Sequence, residues 1–97
     1  MSIQHTVVFR LVHESGSPEE REFLETARSV LTAIPGVEEF AVRRQVSPKS
    51  DLEHQFSMVF ADQHAYTAYN DHPAHTAFVA DRWVPEVAAF QEYDFVE

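Results

Sequence analysis

Tyr69-Asn70-Asp71-His72-Pro73-Ala74-His75 splits a helical stretch in two, with a tyrosine just before the break and a histidine on either side of the proline. Proline suits the first position of a helix, because its missing N–H would have had no partner there and its φ is already helical. The residue before a proline avoids the α region, which puts His72 at the break itself. His75 then falls in the first turn of the new helix, where exposed N–H groups disfavour an imidazolium. A neutral imidazole is what a general base requires.

Downstream of the break, the spacing predicts a helical piece from Pro73 to about Val84, with His75, Val79 and Trp83 on one row at i, i+4 steps. Pro85 is expected to end it, and Val87 to Val96 reads as a strand. Upstream, Asp62 can cap a short helix through about Asn70. Leu52 to Ala61 alternates as a strand carrying His54, Phe56, Met58 and Phe60 on one face. Val37 to Val46 is another strand, closed by the polar loop around Pro48.

The first third of the chain completes the pattern. Ile3 to Val12 reads as a strand with Ile3, His5, Val7, Phe9 and Leu11 on one side. Ser17-Pro18-Glu19-Glu20 has capping-box spacing, and Phe23, Leu24, Ala27, Val30, Leu31 and Ile34 follow at helical intervals until Pro35-Gly36. The order is β-α-β-β-α-β, an α+β, ferredoxin-like arrangement with a four-stranded antiparallel sheet, and residues 1–97 make a single domain. Two helices cover one face of such a sheet. Val8, Val42, Val59 and Phe90 are read onto the other, and an uncovered apolar face marks an association surface. The expectation is a homodimer in which two sheets meet face to face.

Composition narrows the function. Seven Lys and Arg against sixteen Asp and Glu give a net charge of −9, which repels phosphate backbones and anionic lipid, so neither nucleic acid nor membrane is an expected partner. There is no cysteine, and hence no disulfide or thiol nucleophile. No apolar run approaches the ~20 residues of a membrane span, and no leader pattern opens the chain, so the expected location is cytoplasmic. With glycine only at positions 16 and 36, a nucleotide cradle has nothing to be built from. Six histidines raise the question of a metal, but neither HExxH nor a carboxylate-rich loop occurs, and no metal or cofactor is expected beyond weak cation binding by exposed carboxylates. His13 and His64 are read as surface residues.

The early strand with His5, the strand ending Val59-Phe60, and above all Ala68-Tyr69 followed by His72-Pro73-Ala74-His75 resemble the Dabb family, the stress-responsive dimeric α/β barrel domain. The resemblance runs over essentially the whole chain, including the final Tyr93-Asp94-Phe95. It implies a dimer whose sheets form a barrel, and a ligand cavity between helices and sheet in each subunit. One member of the family is a plant polyketide cyclase that closes its substrate by aldol condensation without metal or cofactor. Its catalytic pair corresponds to Tyr69 and His75, and its further pocket histidines to His5 and His54.

Aldol-type closure needs a base for a proton α to a carbonyl and a donor for the resulting oxyanion. His75 is the candidate base and Tyr69 the candidate donor, with His5 orienting the imidazole. Against this stands a structural role, in which His75 caps the junction, Tyr69 packs over the sheet, and His5 is a buried histidine bonded to His75 or to a carbonyl. His54, opening its strand, is read as rim-lining or solvent-facing. Phe78, Val79 and Trp83 share the helix of His75 and suit an apolar, oxygen-bearing small molecule. Three functions remain open: a cyclase-like or lyase-like enzyme, a non-catalytic stress-associated structural or binding dimer, and a cofactor-free monooxygenase-like enzyme.

Overall fold

The computed structural model describes residues Met1–Glu97. Strands β1 (Ile3–Leu11), β2 (Glu38–Arg44), β3 (His54–Phe60) and β4 (Val87–Phe95) form one sheet in the order β2-β3-β1-β4, with every neighbouring pair antiparallel. Helix α1 (Pro18–Thr32) links β1 to β2. Between β3 and β4 lie α2 (Gln63–Asp71), α3 (Pro73–Phe78), a π-helical turn (Val79–Trp83) and α4 (Val84–Glu86). This is the expected ferredoxin-like α+β fold, and no helix is long and apolar enough to cross a membrane.

Local signals account for the helix ends. Ser17 accepts a hydrogen bond from the Glu20 N–H at 3.2 Å, and the Glu20 carboxylate reaches back to the Gly16 N–H at 3.0 Å, one residue earlier than in the usual capping box. Gly16 has φ +82°, a left-handed conformation that costs glycine nothing. At the other junction the Asp62 carboxylate accepts from Ala65 N–H at 2.8 Å. His72 is extended, with φ −64° and ψ 134°, as the following proline demands.

The core lies between the helices and one sheet face. Phe9, Phe23, Phe56, Met58 and Phe60 are fully buried there. Phe9 meets Phe56 at 4.6 Å and Trp83 at 5.0 Å between ring centroids, so the aromatic cluster ties β1 and β3 to the π-helical turn.

Two expectations need correction. Val42 pairs with Phe56 and Phe90 pairs with Phe9, and directly paired residues point to the same side, so both face the helices rather than the open face. The run Val87-Ala88-Ala89-Phe90 has no polar-apolar alternation to set its phase, and the register shifts between Arg10 and Leu11. The open face is therefore mixed: Val8, Val59, Tyr93 and Phe95 beside a polar ladder in which Gln55 donates to Thr6 at 2.8 Å and Arg43 to Ser57 at 2.9 Å. Secondly, Pro85 does not end the helical piece, which runs on to Glu86. The π-helical turn just before it, closed by a bond from the Val84 N–H to the Val79 carbonyl, interrupts the α-ladder where a proline would otherwise leave an unmatched carbonyl.

Candidate functional site

A cavity of ≈ 330 Å³ lies between the helices and the sheet, and Tyr69 and His75, from either side of the break between α2 and α3, line it. Its floor is Val7, Phe56 and Met58, its roof Leu31, Phe78, Val79 and Trp83, and its polar groups are His5, Tyr69, His75 and Glu92. Val84 and Phe90 line it at more exposed positions, 70% and 51% accessible. A largely apolar hollow with a few convergent polar groups has the anatomy of a small-molecule site.

His75 and Tyr69 meet across the break with ring centroids 4.5 Å apart. The Nδ1–H of His75 donates to the Asn70 carbonyl at 3.1 Å, which leaves Nε2 with its lone pair free. Burial lowers the His75 pKa, with the charge of His5 adding to the effect and the Asn70 bond and Glu92 opposing it. The imidazole is thus neutral at neutral pH, but chiefly through desolvation rather than the helix terminus. Tyr69 is 3% exposed, and burial raises its hydroxyl pKa, with the charges of Tyr66 and Glu92 adding. It stays protonated, a donor at the cavity wall. The His75 ring also closes the α2 side of the junction, because Asn70 lies in the last turn of that helix and its carbonyl has no partner within it. The start of α3 is capped by His72, whose Nδ1 accepts from the Ala74 N–H at 3.0 Å.

His5 is also brought to the cavity, from near the start of β1, but its partner is not His75. Its Nδ1 lies 2.6 Å from Asp94 Oδ1 and 3.0 Å from the Tyr66 hydroxyl, which in turn donates to Asp94 Oδ2 at 3.0 Å. A carboxylate only accepts, so the Nδ1–H points to Asp94 and Nε2 is left to the cavity side, 4.0 Å from Glu92 Oε1. Burial and the Asp94 contact together push the Tyr66 pKa up, which keeps that hydroxyl a donor. The expectation that His5 orients His75 is overturned: His5 is itself oriented, by Asp94 and Tyr66.

His54 stands apart. It is 5% exposed and does not line the cavity; its Nε2 lies 3.2 Å from Glu20 Oε2, beneath the start of α1, with its ring 5.4 Å from Phe9. The alternation of β3 places it on the helix face with Phe56, which explains why it is neither at the rim nor in solvent. Glu20, Glu53 and His54 bring one donor atom each within 4.8 Å of one another, the grouping best suited to a cation. Glu20 is already occupied by the helix cap and by His54. Of the remaining sequence candidates, Phe78, Val79 and Trp83 all line the cavity. His13 is only partly exposed and bonds Glu86 at 2.8 Å.

Sequence reasoning missed Tyr66, Glu92 and Asp94. The signal for the carboxylates is β-alternation: Phe90, Glu92 and Asp94 oppose Phe9, Val7 and His5, so two acids fall on a face that is otherwise apolar. Tyr66 sits one helical turn before Tyr69 on α2 and stacks on Phe60 at 5.0 Å.

Fold and cavity together define an α+β, ferredoxin-like domain with a histidine- and tyrosine-bearing pocket. The family model described as the stress responsive A/B barrel domain matches residues 3–97, and the chain belongs to that family, Dabb. It is similar to a Dabb family protein with a ferredoxin-like fold from Mesorhizobium loti, with 59% identity, TM-score 0.98, and coverage of 99% of this chain and 96% of that one. A dimeric ferredoxin-like protein from Thermobifida fusca shares 21% identity at TM-score 0.80 over 100% and 92% of the two chains. The hydroxynitrile lyase of Passiflora edulis shares 12% identity at TM-score 0.84 over 99% and 93%, a likeness of fold. No curated protein matches the chain.

Proposed function

We propose that the cavity binds a small, apolar, oxygen-bearing molecule and performs cofactor-independent acid–base chemistry on it, of the cyclase-like or lyase-like kind. One observation carries this reading: a phenol donor and an imidazole with a free Nε2 stand 4.5 Å apart on the wall of an otherwise apolar hollow. His75 Nε2 removes a proton from the carbon next to a carbonyl, and the electron pair moves into an enolate whose oxygen is held by the Tyr69 hydroxyl. The enolate carbon attacks a second carbonyl of the same molecule, and the new alkoxide takes its proton back from His75. A positioned base of this sort contributes about 10²- to 10⁴-fold in rate. The low polarity around the pair strengthens each hydrogen bond it makes.

The protein acts, in this reading, as a homodimer through the open sheet face. Tyr93 and Phe95 stack there at 6.1 Å between centroids while 49% and 52% exposed, and a dimeric relative shares the fold.

A thermal-shift screen of aromatic and polyketide-like carbonyl compounds tests the site. The expected result is a hit whose binding or turnover is lost in His75→Gln and Tyr69→Phe while both variants remain folded. If no compound is found and each substitution costs folding stability instead, the two residues are structural and the enzyme reading falls.

A further inference from the structure

We infer that Glu92 sets the charge of the molecule the cavity accepts: uncharged carbonyl and hydroxyl compounds enter, and carboxylates of the same shape are turned away. This rests on the reading of the cavity as a binding site, and it names the class of ligand that site takes.

No lysine or arginine lines the cavity. The groups able to meet an incoming anion are His5, His75, Tyr69, Glu92 and the indole N–H of Trp83. His5 already gives its Nδ1–H to Asp94 at 2.6 Å, and His75 gives its own to the Asn70 carbonyl at 3.1 Å. His75 therefore presents an acceptor nitrogen, which repels a carboxylate oxygen as it would any lone pair, while the Nε2 of His5 has the Glu92 carboxylate 4.0 Å away. Tyr69 and the Trp83 indole N–H are the remaining donors, and two neutral groups do not replace the hydration of a full charge moved into an apolar hollow.

Glu92 adds a fixed negative charge to this wall. Its side chain is 56% exposed, and Oε1 stands 4.0 Å from His5 Nε2, so a ligand reaching that nitrogen comes against the carboxylate. No cation neutralises it, since the sole ionisable partner within 4.0 Å is His5, whose other nitrogen is committed to Asp94. Its placement follows from strand register: Glu92 pairs with Val7, which points to the helices, so the acid is forced onto the cavity face. The chain as a whole carries −9, which deepens the same field. A ketone meets none of these obstacles. Its oxygen accepts from Tyr69, and a hydroxyl elsewhere on the molecule can donate to Glu92.

The test follows the Trp83 indole N–H by NMR while 4-phenylbutan-2-one or 3-phenylpropanoate is added at near-neutral pH. The two probes share a phenyl-ethyl body and differ in charge. In the unmodified protein the ketone moves the Trp83 signal and the propanoate does not. In Glu92→Gln the ratio of ketone to propanoate affinity falls about tenfold, the worth of about 1.4 kcal/mol. Equal binding of the two probes to the unmodified protein overturns the inference and leaves the cavity reading standing. So does discrimination that survives in Glu92→Gln. Failure of both probes to move Trp83 in either protein refutes the binding-site reading, and the inference with it.

Discussion

His5 and Asp94, 89 residues apart in sequence, are joined across adjacent strands by a 2.6 Å contact that the Tyr66 hydroxyl closes into a triangle. The triangle fixes which nitrogen of His5 reaches the cavity, with two of its corners on directly paired strand residues and the third on α2. His75 is held differently, by a backbone carbonyl one turn back in a broken helix. The two imidazoles thus arrive from opposite walls, each with Nδ1 committed and Nε2 unclaimed by a donor.

Removing the Tyr66 hydroxyl in Tyr66→Phe should cost about 1 kcal/mol, the worth of a partly exposed hydrogen-bonded group. Asp94→Asn should cost a similar amount, reduced by solvent at its exposed side. Because the three groups form one network, the double variant should lose less than the sum of the two single losses. Urea denaturation of the four proteins measures this; strict additivity would show that the triangle is not a unit.

Burial holds the His75 pKa below its ordinary value of 6.5. Around that pH the unfolded chain therefore binds a proton that the folded chain does not, and stability falls as pH drops through 6.5 toward the lowered folded value. His75→Gln removes this contribution. Its stability relative to the unmodified protein should improve as pH falls from neutral to mildly acidic, as read from denaturation midpoints across that range. A difference constant with pH would mean that the ring is not desolvated.

Glu20 is 9% exposed and serves both the α1 cap and His54. Glu20→Ala should cost about 2 to 3 kcal/mol, since it removes a cap and strands a buried imidazole. His54→Phe, which removes the polar ring rather than its partner, leaves the carboxylate bonded to Gly16 and should cost less. Chemical denaturation separates the two; equal losses would argue against the buried pair.

Phe95→Asp places a charge in the middle of the exposed aromatic stack on the open sheet face. If the dimer forms there, light scattering at micromolar concentration should give a monomer mass for the variant and a dimer mass for the unmodified chain. A monomeric unmodified chain contradicts the dimer outright.

Much of the fold is legible in the residues themselves. The alternation of Ile3 to Leu11 and of His54 to Phe60, the Ser17 to Glu20 cap and the stripe from Phe23 to Ile34 each point to one element, and the structure has all of them. The break at His72-Pro73 is equally plain, and it places Tyr69 and His75 side by side as its residues suggest. What could not be read is whatever depends on a register or on a meeting of distant segments. The face of Phe90 required the β1–β4 pairing, and the triangle of His5, Tyr66 and Asp94 requires three elements to converge. The π-helical turn has no local signature beyond Pro85, whose effect is absorbed two residues upstream. His54 showed its face in the strand alternation, but not the carboxylate it would find beneath α1.

Whether the Tyr69–His75 cavity receives a carbonyl compound is decided by a crystal structure of the protein grown with 4-phenylbutan-2-one. Density for the ketone is expected inside the cavity, its oxygen within hydrogen-bond distance of the Tyr69 hydroxyl and its neighbouring carbon facing His75 Nε2. A cavity closed by repacked side chains, or a ketone bound only on the outer surface, would contradict it.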